Sequence, residues 1–252
     1  MSALQLQDKV ILITGAAGRL GRAAASLFIA KGAIVVGTDI CPIEQSPELL
    51  RLQEKHGDRQ FCFIRADASE EEEVRASFLA VEEKFGRLDG TFHNAYKQAV
   101  KPVLELPLDE WNAAIKGSLT STYLVCKYSI ALMISSGGGA IVNTSSVLSQ
   151  TAKINNAAYG AAKAGMNQLT KVIALEYAKQ GIRANVLLPG DFKVEEDLAR
   201  LTPEARKAHN ERFLLGRTGT PEELAELAAY LLSDAAAYMT GSLICMDGGY
   251  SL

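Results

Sequence analysis

The stretch that decides the fold is Val10-Ile11-Leu12-Ile13-Thr14-Gly15-Ala16-Ala17-Gly18-Arg19-Leu20-Gly21. A short apolar, β-branched run leads directly into a glycine-rich turn, and a segment of helical spacing follows at 19–31. A strand that is apolar at nearly every residue is one buried on both faces, as in a parallel sheet with helices above and below. Glycines at 15, 18 and 21 permit a tight turn, close approach of backbone to a pyrophosphate, and close packing of helix on strand. The helix start then offers free N–H groups and the positive end of its dipole to phosphate.

Working outward, further short apolar runs alternate with longer helical segments. The expected strands are Val10–Thr14, Ile34–Thr38, Phe61–Arg65, Gly90–His93, Ala140–Thr144, Ala184–Leu188 and Ser242–Cys245. Helices are expected at 19–31, 46–56, 70–85, 109–135, 157–179 and 221–233. This alternation predicts an α/β fold, a Rossmann-like doubly wound parallel sheet with helices on both faces. Ser69 with Glu72, and Thr220 with Glu223 behind Pro221, carry the spacing of capping boxes. No repeat or linker divides the chain, so 1–252 is expected to be a single dinucleotide-binding domain. The weakly patterned stretch at about 191–217 is longer than an ordinary connection, and a substrate loop or lid is expected there.

Asp39 ends the second strand about 20 residues beyond the glycines, where a carboxylate can accept both hydroxyls of an adenosine ribose. The same charge repels a 2′-phosphate, so NAD(H) is favoured. Arg19 keeps NADP(H) as the alternative, because its guanidinium either tolerates that phosphate or holds the pyrophosphate. Asp67 closes the third strand, as a partner for the adenine amino group or simply as a polar strand end.

Tyr159 and Lys163, four apart on an expected helix, share a face. Carbonyl reduction needs an acid near the reacting oxygen, and free tyrosine, with a pKa of about 10, is weak in that role. A neighbouring ammonium is expected to lower it, letting Tyr159 donate a proton in reduction and accept one in oxidation. Tyr123 and Lys127 have the same spacing, so spacing alone decides nothing. Ser146 separates the pairs: it follows the strand Ala140–Thr144 and precedes Tyr159 by thirteen residues, whereas Tyr123 and Lys127 look like a helix surface feature.

Composition narrows the remaining classes. Charged residues make up 22% of the chain and the net charge is −3, with no basic run, so nucleic acid is not an expected partner. The N-terminal MSALQLQDKV lacks a basic region followed by an apolar stretch, and the apolar segment Tyr123–Ile134 is too short to span a bilayer. No membrane association is expected, and a cytoplasmic location is. Cys41, Cys62, Cys126 and Cys245 are scattered, which argues for free thiols and against a metal site.

Together these residues resemble the short-chain dehydrogenase/reductase family in its compact single-domain form. The resemblance runs through TGAAGRLG at 14–21, Asp39, Asp67-Ala68, Asn94-Ala95, NTSS at 143–146, YGAAK at 159–163, GIRANVLLPG at 181–190 and GRTGTPEE at 216–223. It ends in MTGSLICMDGGYSL, similar to the family's last strand and tail. It implies a seven-stranded parallel sheet, a small carbonyl or alcohol substrate, and a homotetramer or homodimer. It implies Ser146 polarising the carbonyl, Tyr159 as acid/base, and Lys163 on the nicotinamide ribose, lowering the tyrosine pKa. For the cofactor it implies Gly15, Gly18, Arg19, Leu20 and Gly21 at the pyrophosphate, and Asp39, Ile40, Asp67 and Ala68 at the adenosine. Asn94, Tyr159 and Lys163 then lie at the second ribose, and Pro189, Gly190 and Phe192 near the nicotinamide.

Four positions depart from the family's pattern. Arg19 stands where compact members carry glycine, and His93-Asn94-Ala95-Tyr96 stands for NNAG. Ser118 takes the place of an asparagine that helps hold a relay water, and Val194 that of a threonine. His93 is otherwise a packed strand-end residue. Gln150, Lys153, Asn155 and Asn156, with Lys97, Gln98 and Lys101, either line the pocket for a polar or anionic substrate or are solvated loop residues. A hydride-transferring oxidoreductase is the leading expectation. The alternatives are a dinucleotide-binding sensor or scaffold without turnover, and a dehydratase or epimerase suggested by the glycine spacing.

Overall fold

The computed structural model describes residues 5–252, so the first four residues of the N-terminal stretch lie outside it. The strands are β1 (Val10–Thr14), β2 (Ile34–Asp39), β3 (Phe61–Arg65), β4 (Gly90–His93), β5 (Gly139–Thr144), β6 (Ile182–Pro189) and β7 (Leu243–Met246). They form one sheet in the order β3-β2-β1-β4-β5-β6-β7, with every pairing parallel. The longer helices are α1 (Arg19–Ala30), α2 (Pro47–His56), α3 (Glu71–Phe85), α4 (Leu108–Ile115), α5 (Ser121–Ser135) and α6 (Ala157–Tyr177). Short helices α7 (Glu195–Leu198) and α8 (Pro203–Asn210) follow, then α9 (Pro221–Leu232).

The unbroken apolar character of β1 has a direct cause. Ile11 and Ile13 face one core with Leu20 and Phe28 of α1 and Leu224 of α9. Val10 and Leu12 face a second core, built with Val74 and Phe78 of α3, Leu124 of α5 and Ile173 of α6. Each fully buried side chain of this size contributes about 1.5–3 kcal/mol, so neither face tolerates a polar residue. Because β1 pairs with both β2 and β4, the connections leaving it diverge, and a crevice opens beyond the carboxyl ends of these strands.

The expected helix at 109–135 forms as one continuous run, α4 into α5, with a π-helical turn inside it at Lys116–Thr120, where the hydroxyls of Ser121 and Thr122 bond back to the carbonyls of Gly117 and Ser118. The capping box expected at Thr220 forms in full. The one expected at Ser69 does not: Glu70 is the cap residue, and Asp67 Oδ1 accepts both the N–H and the hydroxyl of Ser69. A carboxylate two residues upstream is the better acceptor, so the serine becomes a donor. The pair Tyr123 and Lys127 lies on an outer surface, with Lys127 bonded to Glu71 at 2.7 Å. Among the described residues no helix is long and apolar enough to cross a membrane.

Candidate active site

The chain leaves β1 through Gly15, whose φ of +65° is costly for any side-chain-bearing residue. A Cβ on Gly15 would lie 3.0 Å from the backbone nitrogen of Ala95, so the loops after β1 and β4 touch. Gly21 is more restrictive, since a Cβ there would meet the carbonyl oxygen of Gly15 at 2.1 Å. Gly18 precedes α1 with no side-chain cap, which leaves the first N–H groups of that helix free for an anion. The side chain of Leu20 points into the core, so only its backbone can serve a ligand.

A cleft of about 560 Å³ opens from this loop. It is lined by Gly15 and Gly18, by Asp39 and Ile40, by Asp67 through Glu70, and by Asn94 through Lys97. Ala113, Lys116 and Gly117 close its far wall. Asp39 accepts the N–H groups of Ala17 at 2.9 Å and Cys41 at 3.0 Å, which fixes the carboxylate at the cleft edge while each oxygen keeps a free lone pair. A long cleft with a side-chain-free loop, an uncapped helix start and a fixed carboxylate suits a dinucleotide. Arg19 faces elsewhere: its guanidinium is paired with Asp197 of α7.

Beyond the cleft, Thr14 organises the second half of the site. Its hydroxyl oxygen accepts the N–H groups of Asn94 at 3.1 Å and Ala95 at 3.2 Å, and lies 2.8 Å from Nδ1 of His93. Tyr96 extends along the cleft, 58% exposed, and its ring meets that of Tyr159 edge-on at 5.9 Å. Lys163 is 1% exposed; its Nζ donates to the carbonyl of Thr144 at 2.6 Å and sits 5.7 Å from the centre of the Tyr159 ring. Ser146, at the end of β5, accepts the N–H of Leu148 at 3.1 Å and acts on the phenol of Tyr159. Ser146, Tyr159 and Lys163 therefore converge beside Tyr96, at one end of the cleft.

The pKa shifts reverse one expectation. Burial pushes the Tyr159 phenol up to about 12, Tyr96 adds to the rise, and the hydroxyl of Ser146 offsets part of it. The expected lowering by Lys163 is not found, because burial pulls that ammonium down to about 7 and weakens its charge at neutral pH. Desolvation, which depends on the packed surroundings and not on the four-residue spacing, is the largest cause of the shift.

Ser118 is fully buried. Its hydroxyl donates to the carbonyl of Lys97 at 2.7 Å and accepts that residue's N–H at 3.0 Å, so both functions hold the loop after β4. Gly190 packs where a Cβ would fall 2.7 Å from Asp247, and Pro189 ends β6. Phe192 packs its ring against the α1–α9 core and bridges to Gly219, so it offers backbone rather than side chain near the site. Val194 precedes α7. Sequence reasoning missed Thr14 as a hub, Glu70 and Lys116 in the cleft wall, and Asp197 as the partner of Arg19. Threonine beside the first glycine is the one signal available for Thr14; the rest carry no spacing that marks them.

A family model described as enoyl-(acyl carrier protein) reductase matches residues 15–251. Cis-4-hydroxycyclohexanecarboxylate dehydrogenase of Sinomonas cyclohexanicum is 36% identical over 97% of this chain and 97% of its own. D-threitol dehydrogenase of Mycolicibacterium smegmatis is 34% identical over 98% of this chain and 95% of its own. The solved structure of levodione reductase superposes with a TM-score of 0.89 at 31% identity, covering 98% of each chain. With this sheet order, this glycine loop and these matches along nearly its whole length, the chain belongs to the short-chain dehydrogenase/reductase family of nicotinamide-dependent oxidoreductases.

Proposed function

We propose that the protein is an NAD(H)-dependent dehydrogenase of small secondary alcohols, cyclic or polyhydroxylated, that also reduces the matching ketones. The observation that carries this reading is the convergence of Ser146, Tyr159 and Lys163 beside the dinucleotide-sized cleft. A bound nicotinamide supplies or takes the hydride. The chain's own residues handle the proton: Ser146 donates a hydrogen bond to the substrate oxygen, and Tyr159 gives or takes the proton at its phenolic oxygen. Lys163, anchored on Thr144, holds the tyrosine side of the site in place. Ser118 positions the loop after β4 and takes no part in proton transfer.

Two carboxylates without an ion-pair partner among the described residues, Asp39 and Asp67, border the cleft beyond the glycine loop, where an additional phosphate would be repelled; Glu70 beside them is paired with Lys116. Arg19, the cation that favours NADP(H) on sequence grounds, is neutralised by Asp197. NAD(H) is therefore the preferred cofactor. Replacing Asp39 with Ala is expected to raise kcat/KM for NADPH relative to NADH by about tenfold or more, since like-charge juxtaposition costs on the order of several kcal/mol. Steady-state kinetics with both cofactors checks this, and a native enzyme that already prefers NADPH would overturn the assignment.

The substrate class draws on the relatives, which are named for ring alcohols and a polyol. Several polar residues near the presumed pocket are occupied: Gln98 bonds Asn156, and Lys101 pairs with Glu110. Lys97, which lines the cleft, and Lys153, in the loop between Ser146 and Tyr159, take part in none of the ion pairs among the described residues, which leaves them for an acidic substituent on the substrate. The double variant Lys97→Glu/Lys153→Glu is expected to raise KM for cis-4-hydroxycyclohexanecarboxylate by about tenfold, from a lost attraction of about 1.4 kcal/mol, and to leave KM for cyclohexanol unchanged. Equal effects on both substrates would remove the charge-recognition idea.

The segment 191–217, with its two short helices, acts as the lid over the substrate. Exposed apolar side chains on α5 and α6, such as Tyr123, Val172 and Leu175, and the edge position of β7 favour a homotetramer or homodimer. Free thiols at all four cysteines agree with a cytoplasmic location.

A further inference from the structure

His93 is a wholly buried titratable group that the proposed chemistry does not use. It ends β4, between Thr14 of β1 on one side and Asn143 of β5 on the other. Its tautomer follows from its neighbours. The oxygen of Thr14 already accepts two N–H groups, from Asn94 and Ala95, so its own hydrogen is directed at Nδ1 of His93, 2.8 Å away. Nδ1 is therefore an acceptor and bears no hydrogen. Burial and Lys163 hold the ring's pKa down to about 3, so the ring is neutral at physiological pH and its one hydrogen sits on Nε2.

That Nε2–H has no partner among the described residues. On β5 the register partner of His93 is Asn143. The amide of Asn143 there is turned away, towards Cys126 and Thr170. Among the described residues Lys163 is the charged group that acts on the imidazole, and its Nζ is anchored one residue further along β5, on the carbonyl of Thr144. Two donors, an imidazole N–H and an ammonium, cannot satisfy one another, and a buried donor left without an acceptor costs about 1–3 kcal/mol. One water oxygen has the lone pairs to accept from both.

We propose that His93 Nε2 and Lys163 Nζ hold one buried water between them, which makes His93 a positioning residue for the catalytic lysine. The neutral imidazole donates at every working pH, so the water's oxygen stays directed at the lysine and favours its charged form. The kinetic part of this inference rests on the proposed role of Lys163; the water itself does not.

A crystal structure of the native protein at about 1.5 Å is expected to show an ordered water within about 3.2 Å of both nitrogens. His93→Leu removes the donor and His93→Asn restores one. His93→Leu is expected to keep its NADH dissociation constant within about twofold of native and to lose about tenfold in kcat, and the limb of its pH profile that follows Lys163 should move about one unit lower. His93→Asn is expected to recover most of both changes. Absence of the water from the native crystal, or a His93→Leu enzyme with native kcat and pH profile, would overturn the proposal. Should His93→Leu fail to fold, the native crystal decides by itself. A water present in a protein whose Tyr159→Phe variant stays active would leave this site standing and remove the catalytic reading of the triad instead.

Discussion

Lys163→Met is expected to abolish turnover while making the ligand-free protein more stable at pH 7. The unfolded lysine takes up its proton near 10.5, whereas burial delays this in the folded chain to about 7. Between those values the unfolded state binds more protons, so stability falls as pH falls, by about 1.4 kcal/mol per unit. The whole penalty, about 5 kcal/mol, is present below pH 7. Methionine escapes it but gives up the bond to Thr144, which as a charged donor contributes about 1.5–3 kcal/mol. A net gain of about 2 kcal/mol corresponds to a melting temperature higher by about 5 °C for a chain of this size. At pH 10 the gain should disappear. Thermal melts without dinucleotide at both pH values test this, and a variant that melts lower at pH 7 would refute it. Turnover should fall by about a hundredfold or more, the scale of a disabled acid–base step.

Tyr159→Phe is expected to lose about 10²–10⁴-fold in kcat with little change in NADH affinity. The phenylalanine ring keeps the edge-on contact with Tyr96 that builds this end of the cleft, so binding surfaces survive and the proton donor alone is removed. With its pKa raised to about 12, the native phenol holds its proton at neutral pH and is ready to donate it in reduction. Oxidation requires the phenolate, so native oxidation of an alcohol should accelerate steadily as pH rises through 8–10, roughly in proportion to the phenolate fraction. Stopped-flow and steady-state rates in both directions, with NADH fluorescence titration, separate chemistry from binding. A phenylalanine variant with native kcat would end the proposed role.

How much of this was legible in the sequence depended on whether a residue's role is set locally. The strands were clear because burial on both faces leaves runs such as Val10–Thr14 with no polar interruption. The cap at Thr220 was readable because its partner Glu223 lies on the same turn, held further by Arg217. Ser69 failed as a cap because Asp67 competed for it at equally short range. The π-helical turn at Lys116–Thr120 left no mark in the apolar spacing, which is nearly the same for an α-helix with one added residue. Ser146, Tyr159 and Lys163 could be picked out by spacing and strand context, but the direction of the tyrosine shift could not. The shift is set by burial in the folded core and, after it, by Tyr96, which lies far off in the chain.

The contact between Arg19 and Asp197 ties α7 to the start of α1, and the arginine is 46% exposed. With the aspartate only 16% exposed, the pair is half open to water and contributes about 1 kcal/mol, a bias of about five to one for the paired arrangement. A pair of this strength holds α7 against the start of α1 without locking it there. If 191–217 is the lid proposed above, added salt should hasten dinucleotide exchange by weakening this pair.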